Sequence, residues 1–504
     1  MVNNSRLCGV LLHITSLPSA HGMGDFGPHA HAFAEFLAQA GQSVWQILPL
    51  TPINSGAGNS PYSSYSAFAG NIFCISPDYL VLDGFLRVED VQNPPGFPED
   101  RVDYAAATAW RRSLLELAFD NALPQLRTDA QFQTFCEQEQ FWLHSYALFM
   151  ALKQEHHGAP WYQWPESLRL ADKKALESAE NRLGYFIVQE KFYQYLFARH
   201  WTRLRQHCAH HGISILGDAP IYVSLDSADV WANRDLFALD PEGLPVFCAG
   251  APPDYFSETG QMWGNPVYDW DRLEQKNFDW WITRLRHEHN RYDLVRLDHF
   301  RGFCAFWQVP ACEPTAENGV WIPAPGKKLF SAVQHAIPDL NLVAEDLGFI
   351  TEDVRELMDQ FGFPGMKILH FAFSPDMERN AYIPHNIPHN SVVFTGTHDN
   401  NTTRGWFTTE VDGETRLRLN RYAGHVVTQD NAASTLIRLA LGCPAQLAII
   451  PMQDYLNLDE HGRMNIPGIA EGNWSWRMRT EHLTPVLGQA MRMWAKTYGR
   501  EPRQ

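Results

Sequence analysis

Three acidic residues close short apolar runs: Asp298 ends Leu-Val-Arg-Leu-Asp, Glu345 ends Leu-Val-Ala-Glu, and Asp399 follows Val-Val-Phe-Thr-Gly-Thr-His. A buried strand has no use for an ionised carboxylate, because removing it from water is costly unless it is paired or put to work. Three such strand ends point to one reactive centre. Two neighbouring carboxyl groups, one ionised and one protonated, are what cleavage of a glycosidic bond requires. Asp298 suits the nucleophile. Arg296 stands two residues earlier, on the same face of a strand, where its charge keeps the aspartate ionised. Glu345 follows an apolar run and adjoins Asp346, so burial and like charge would both raise its pKa and make it the general acid, then the base. Asp399, with His398 beside it, suits a stabiliser that grips sugar hydroxyls as the ring flattens. The competing readings are that these acids cap helices or pair with arginines, Asp346 above all, or that His299 and His398 join the acids as metal ligands. Neither histidine has the i, i+4 helical spacing of a zinc motif, so no metal is expected at this centre.

These residues need a scaffold that brings distant strand ends together. Apolar runs bounded by turn residues predict strands over 9–14, 43–48, 213–217, 294–298, 341–345, 366–371, 391–396 and 447–451. They are nearly continuous in apolar character, as parallel strands covered on both faces must be. Helical patterns fall over 30–40, 185–210, 278–289, 328–336, 351–361 and 415–441. Eight strands alternating with helices predict an α/β protein, a (β/α)8 TIM barrel, in which side chains at the carboxyl ends of strands four, five and seven converge. Residues 51–183, after strand two, and 224–277, after strand three, are too long for ordinary connections. The first contains a helical stretch at 132–153 and a Pro-rich segment at 93–98, and is expected to be a largely helical subdomain. The second, rich in Gly, Pro and aromatics, reads as a cover over the catalytic face. Residues 1–504 are expected to form a single catalytic barrel without a separate C-terminal β-domain, ending after an amphipathic segment at 485–498.

Composition narrows the partner. Hydrophobic residues make up 45% of the 504 positions and charged residues 19%, which excludes a disordered chain. The net charge of −17 is dispersed and argues against nucleic acid, leaving a neutral or cationic substrate. Aromatics reach 13%, and many of the 17 tryptophans lie in Gly-, Pro- and Asn-rich segments, where stacking on sugar faces competes with core packing as their role. The eight cysteines are scattered without a pairing framework and read as reduced thiols. The N-terminus has no apolar leader and no stretch of about 18 apolar residues follows, so a cytoplasmic protein with no membrane partner is expected. No dinucleotide fingerprint, P-loop or EF-hand loop occurs, and no cofactor is expected.

Several long strings resemble those of the 4-α-glucanotransferases of the amylomaltase type, glycoside hydrolase family seventy-seven of the α-amylase clan. They are Gly-Val-Leu-Leu-His-Ile-Thr-Ser-Leu-Pro at 9–18, Gly-Asp-Phe-Gly at 24–27, Trp-Gln-Ile-Leu-Pro-Leu at 45–50, Ser-Pro-Tyr-Ser-Ser-Tyr-Ser-Ala-Phe-Ala-Gly-Asn at 60–71, Gly-Asp-Ala-Pro-Ile-Tyr-Val at 217–223, Gly-Ala-Pro-Pro-Asp at 250–254, Gly-Gln-Met-Trp-Gly-Asn-Pro at 260–266 and Glu-Gly-Asn-Trp-Ser-Trp-Arg at 471–477, together with the three strings around the acids. The resemblance implies Asp298 as nucleophile, Glu345 as acid/base and Asp399 as transition-state stabiliser, in agreement with the reading from the residues. It further implies that Tyr62 stacks on the sugar at the cleavage point, that Asp218 is the aspartate ending strand three, that His398 binds sugar, and that Trp263, Asn265, Tyr255 and Phe256 belong to a loop over acceptor subsites. The implied reaction moves an α-1,4-glucan segment from a donor to the 4-hydroxyl of an acceptor glucan or glucose. An α-1,4-glucan hydrolase of the α-amylase type is the alternative within the same chemistry, and a silent glucan-binding protein the alternative outside it. Oligomeric state and preferred glucan length are left open by these residues.

Overall fold

Eight short apolar strands close into a parallel barrel: β1 (Leu7–Leu11), β2 (Val44–Gln46), β3 (Ser214–Ala219), β4 (Leu294–Leu297), β5 (Leu342–Ala344), β6 (Gly365–Ile368), β7 (Ser391–Phe394) and β8 (Leu447–Pro451). Each pairs with the next in sequence, and β8 returns to β1 with Leu7 opposite Leu447 and Leu11 opposite Pro451. The computed structural model describes residues 6–253, 257–469 and 471–502. Helices connect the strands and cover the barrel, among them Pro28–Gln39, Lys173–His210, Asp279–Arg291, Gly326–Ala336 and Glu352–Phe361. The (β/α)8 architecture expected from the alternating pattern is the one observed.

Close packing fixes two glycines that shape the site. A Cβ on Gly217 would lie 2.2 Å from the Tyr292 ring, so the residue just before Asp218 must lack a side chain. A Cβ on Gly365 would lie 2.7 Å from both carboxylate oxygens of Asp346. Asp346 accepts from the Met366 backbone N–H at 2.6 Å, taking a place a backbone carbonyl would otherwise hold in the β5–β6 ladder, where Gly365 opposite Ala344 is the single register pair.

Several boundaries differ from expectation, each for a local reason. Strands β4 and β5 stop at Leu297 and Ala344, so Asp298 and Glu345 are the first residues past the strands rather than their last members. The helical pattern at 415–441 is two helices, Gly413–Ala423 and Ala432–Gly442, because Gly424 turns left-handed at φ 75° and ends the first. The stretch at 132–153 likewise falls into Ala130–Gln138 and Gln140–Glu155, broken at Glu139. A 23-residue helix, Tyr104–Leu126, with Pro124 in its last turn, falls in the region expected to be largely helical but was not singled out. Also unforeseen is a four-stranded antiparallel sheet ordered Gln261–Pro266, Phe247–Ala251, Ala305–Pro310, Val320–Pro323. Its strands show no clean alternation of buried and exposed residues, and two of them come from an excursion after β4 that the sequence did not signal. Among the described residues no helix is long and apolar enough to cross a membrane.

Candidate active site

The carboxyl ends of the barrel strands surround a cleft of about 410 Å³ lined by Asp298, Glu345 and Asp399. Asp298 and Glu345, 47 positions apart, and Asp399, 54 positions further on, meet there because the barrel gathers the ends of their strands on one face. Asp298 and Glu345 are fixed through their main chains: Asp298 N–H donates to the Ala219 carbonyl at 3.1 Å and Glu345 N–H to the Leu297 carbonyl at 3.0 Å, continuing the ladders beyond the strands.

Under Asp298 lies a buried ion network. One guanidinium nitrogen of Arg296 donates to both oxygens of Asp218 at 2.7 and 2.8 Å, and the other meets Asp298 at 2.9 Å. The arginine side chain is 3% exposed and that of Asp218 is fully covered, so both sit beneath the cleft and do not line it. Burial pushes the Asp218 carboxyl up while the charge of Arg296 pulls it down. One guanidinium nitrogen shared between both oxygens suits a charged partner, and the other nitrogen of the same arginine then holds Asp298 in one orientation.

Glu345 is held differently. Its two oxygens accept from the backbone N–H groups of His299 and Leu347, each at 2.8 Å. His299 reaches this position in the left-handed region, at φ 48° and ψ 53°, an uncommon conformation for a residue with a Cβ and one concentrated at functional sites. Burial raises the Glu345 carboxyl well above the carboxylate range, and the charge of Asp298 raises it further against the pull of Arg296. The like charge is therefore Asp298 and not the sequence neighbour Asp346. That residue points to the other side, where Lys367 meets it at 2.8 Å, in keeping with the structural role weighed for it.

Asp399 lies five residues beyond the end of β7. Asn465 donates to one carboxylate oxygen at 2.6 Å, His398 Nε2 stands 3.3 Å from the other, and Arg463 donates to its carbonyl at 2.9 Å. The Tyr62 hydroxyl donates to Asp218 at 2.8 Å and lies 2.8 Å from His398 Nε2. Since that hydroxyl has one proton, His398 must donate from Nε2, which leaves its buried Nδ1 without a partner. The Tyr62 and His398 rings stack at 5.3 Å, and Trp474 tilts against both at 5.7 and 6.0 Å.

The opposite wall carries Trp263 and Asn265 on the strand Gln261–Pro266. Trp263 is 37% exposed, with its ring edge-on to His299 at 4.8 Å, and Asn265 donates to the Val223 carbonyl at 2.9 Å. Tyr255 and Phe256 lie outside the described residues. Sequence reasoning did not single out Asn465, Trp474 or Tyr222, all of which line the cleft. Trp474 and Tyr222 stood inside motif strings, whereas Asn465 lies in an irregular segment that offers no periodic signal.

The arrangement sets an arginine-held carboxyl group in the lining of the cleft, a second carboxyl raised by burial beside it, and a third with an imidazole and aromatic faces opposite. Comparison with known proteins agrees with this chemistry. A family model described as 4-alpha-glucanotransferase, glycoside hydrolase family 77, matches residues 12–484. The 4-alpha-glucanotransferase of Synechocystis is 47% identical over 502 residues, covering 99% of this chain and 98% of the relative. That of Thermus thermophilus is 46% identical over 500 residues, covering 97% and 98%. Among solved structures, an amylomaltase from Streptococcus agalactiae in complex with acarbose superposes with a TM-score of 0.95 at 39% identity, covering 99% of this chain and 100% of that one.

Proposed function

The chain belongs to the 4-alpha-glucanotransferase family, glycoside hydrolase family 77, and is an enzyme of that activity; with that fixed, we propose the roles of its residues and the course of its reaction. The substrates are α-1,4-glucans and maltooligosaccharides, with glucose among the acceptors. The observation that carries the reading is the contrast within one cleft between Asp298, clamped by Arg296, and Glu345, buried and displaced towards its protonated form.

Asp298 attacks the anomeric carbon as the glycosidic C–O bond breaks, and Glu345 passes its proton to the departing 4-oxygen. The glucan segment stays on the enzyme as an ester of Asp298. The 4-hydroxyl of an acceptor then enters, gives its proton to Glu345 and displaces Asp298, so that the anomeric configuration is retained. Asp399 and His398 hold ring hydroxyls where the positive charge develops, and Tyr62 stacks on the sugar. Asp218 and Arg296 act from below as positioning groups for Asp298 and Tyr62.

Transfer over hydrolysis requires that a sugar hydroxyl outcompete water for the intermediate. Residues 51–183 and 224–277 supply the walls, and Trp263 and Asn265 offer a platform for the acceptor. Incubation with maltotriose alone tests the reading. A ladder of longer maltooligosaccharides with released glucose supports it; maltose and glucose without longer products would make the protein a hydrolase. Trp263→Ala is expected to lower the ratio of transfer to hydrolysis, and an unchanged ratio would remove that residue from the acceptor site.

A further inference from the structure

On the outside of the barrel, away from every residue that lines the cleft, two helices bring four metal-ligating side chains together. His31 and Glu35 stand one turn apart on the helix Pro28–Gln39. His207 and His211 stand one turn apart at the end of the helix Lys173–His210, with His211 as its C-cap. Each pair has i, i+4 spacing, so both side chains of a pair project from one face of their helix. Glu35 Oε1 lies 3.2 Å from His207 Nε2, and one donor atom from each of Glu35, His207 and His211 falls within 4.8 Å of the others. The His31 and His207 rings are 4.4 Å apart and the His207 and His211 rings 4.6 Å apart.

From these positions we propose that Glu35, His207 and His211, with His31 at hand as a fourth donor, form a binding site for a borderline divalent transition ion such as Zn²⁺, Co²⁺ or Ni²⁺. In a tetrahedral site with bonds of about 2.0–2.1 Å, donor atoms stand roughly 3.4 Å apart. From the observed spacing, within 4.8 Å, the donors would draw together by at most about 1.4 Å. Imidazole with a single carboxylate selects such ions over Mg²⁺ and Ca²⁺, which want oxygen ligands throughout. His31 strengthens the case: its Nε2 is buried without a hydrogen-bond partner, and its ring packs against that of His207. Arg203, on the same helix as His207, is paired with Asp83 at 2.7 Å. A bound ion would add a tie between the helix after β1 and the helix before β3, beside the Glu35–His207 ion pair and the His31–His207 ring contact.

The test uses the whole protein stripped with a chelator and titrated with Co²⁺ or Zn²⁺ alone. One saturable equivalent is expected, with the intense visible absorption of four-coordinate Co²⁺ and a metal-dependent rise in Tm. His207→Gln and His211→Gln should each weaken binding about tenfold or more. His210→Gln, altering an exposed neighbour, should leave affinity unchanged, and none of the three should alter glucan transfer measured without metal. Reading the metal-dependent part of Tm separates loss of the site from loss of the Glu35–His207 pair. No saturable uptake by the unaltered protein, or uptake of equal affinity in the His207→Gln/His211→Gln double variant, would overturn the proposal.

Discussion

The ends of β4 and β5 and the loop after β7 carry acidic groups to the same cleft by different means. Asp298 and Glu345 leave the barrel at the first residue past a strand, with their main chains still hydrogen-bonded to neighbouring strands. Asp399 comes after four further residues and is kept in place by side chains: Asn465, His398 and a carbonyl contact to Arg463. The first arrangement inherits the rigidity of the sheet. The second depends on groups that can each be removed singly, and 44% of the Asp399 side chain remains exposed. Bond making and breaking demand sub-ångström placement, whereas stabilising a spread positive charge tolerates more. The structure assigns the stiffer support to the two groups proposed to react.

That contrast predicts a gradient of sensitivity. Asp298→Asn removes the proposed nucleophile and is expected to lower kcat by at least about 10⁴-fold while glucan binding persists, as followed by single-turnover kinetics and by calorimetry. Survival of substantial transfer would mean that another group attacks. Glu345→Gln should cost about 10²- to 10⁴-fold on maltooligosaccharides and far less on a glycosyl fluoride donor, whose leaving group needs no proton. In the unaltered protein, kcat/KM should fall on the alkaline side as the raised Glu345 carboxyl ionises and the proton donor is lost, at a pH above the ordinary carboxylate range. With the fluoride donor and Glu345→Gln, that limb should disappear for the first step.

Arg296→Met strikes the rigid side through stability. It leaves Asp218 covered and unpaired, a loss of about 3–5 kcal/mol measurable by denaturant unfolding. Part of the loss should return as pH falls, because a protonated Asp218 no longer needs a cation. Asn465→Ala tests the flexible side and should have the smallest effect, about tenfold in kcat with little change in unfolding, since one charge-assisted hydrogen bond is lost at a partly solvated group. A larger effect than that of Glu345→Gln would invert the comparison.

Adjacent residues show where sequence reading stops. Glu345 and Asp346 have the same chemistry and the same apolar run before them. One takes two backbone N–H groups in the cleft; the other is spent on Lys367 and the Met366 amide. Which of two neighbours faces the cleft depends on where β5 ends and on the absence of a Cβ at Gly365, and neither is written in the run itself. The same holds for Asp218 and Arg296, whose side chains lie beneath the cleft and do not line it.

Apolar runs, their spacing and the acids at their ends determined the eight-stranded barrel and singled out the three acids that share its cleft, because continuous hydrophobicity and strand-end charge are local properties of the chain. The like charge beside Glu345, the tether on Asp399 from Asn465, the four-stranded sheet that brings Trp263 to the wall, and the meeting of two helices at Glu35, His207 and His211 were decided by tertiary structure alone. Each joins residues remote in sequence at distances of a few ångströms, and no periodicity along one segment encodes which other segment will lie against it.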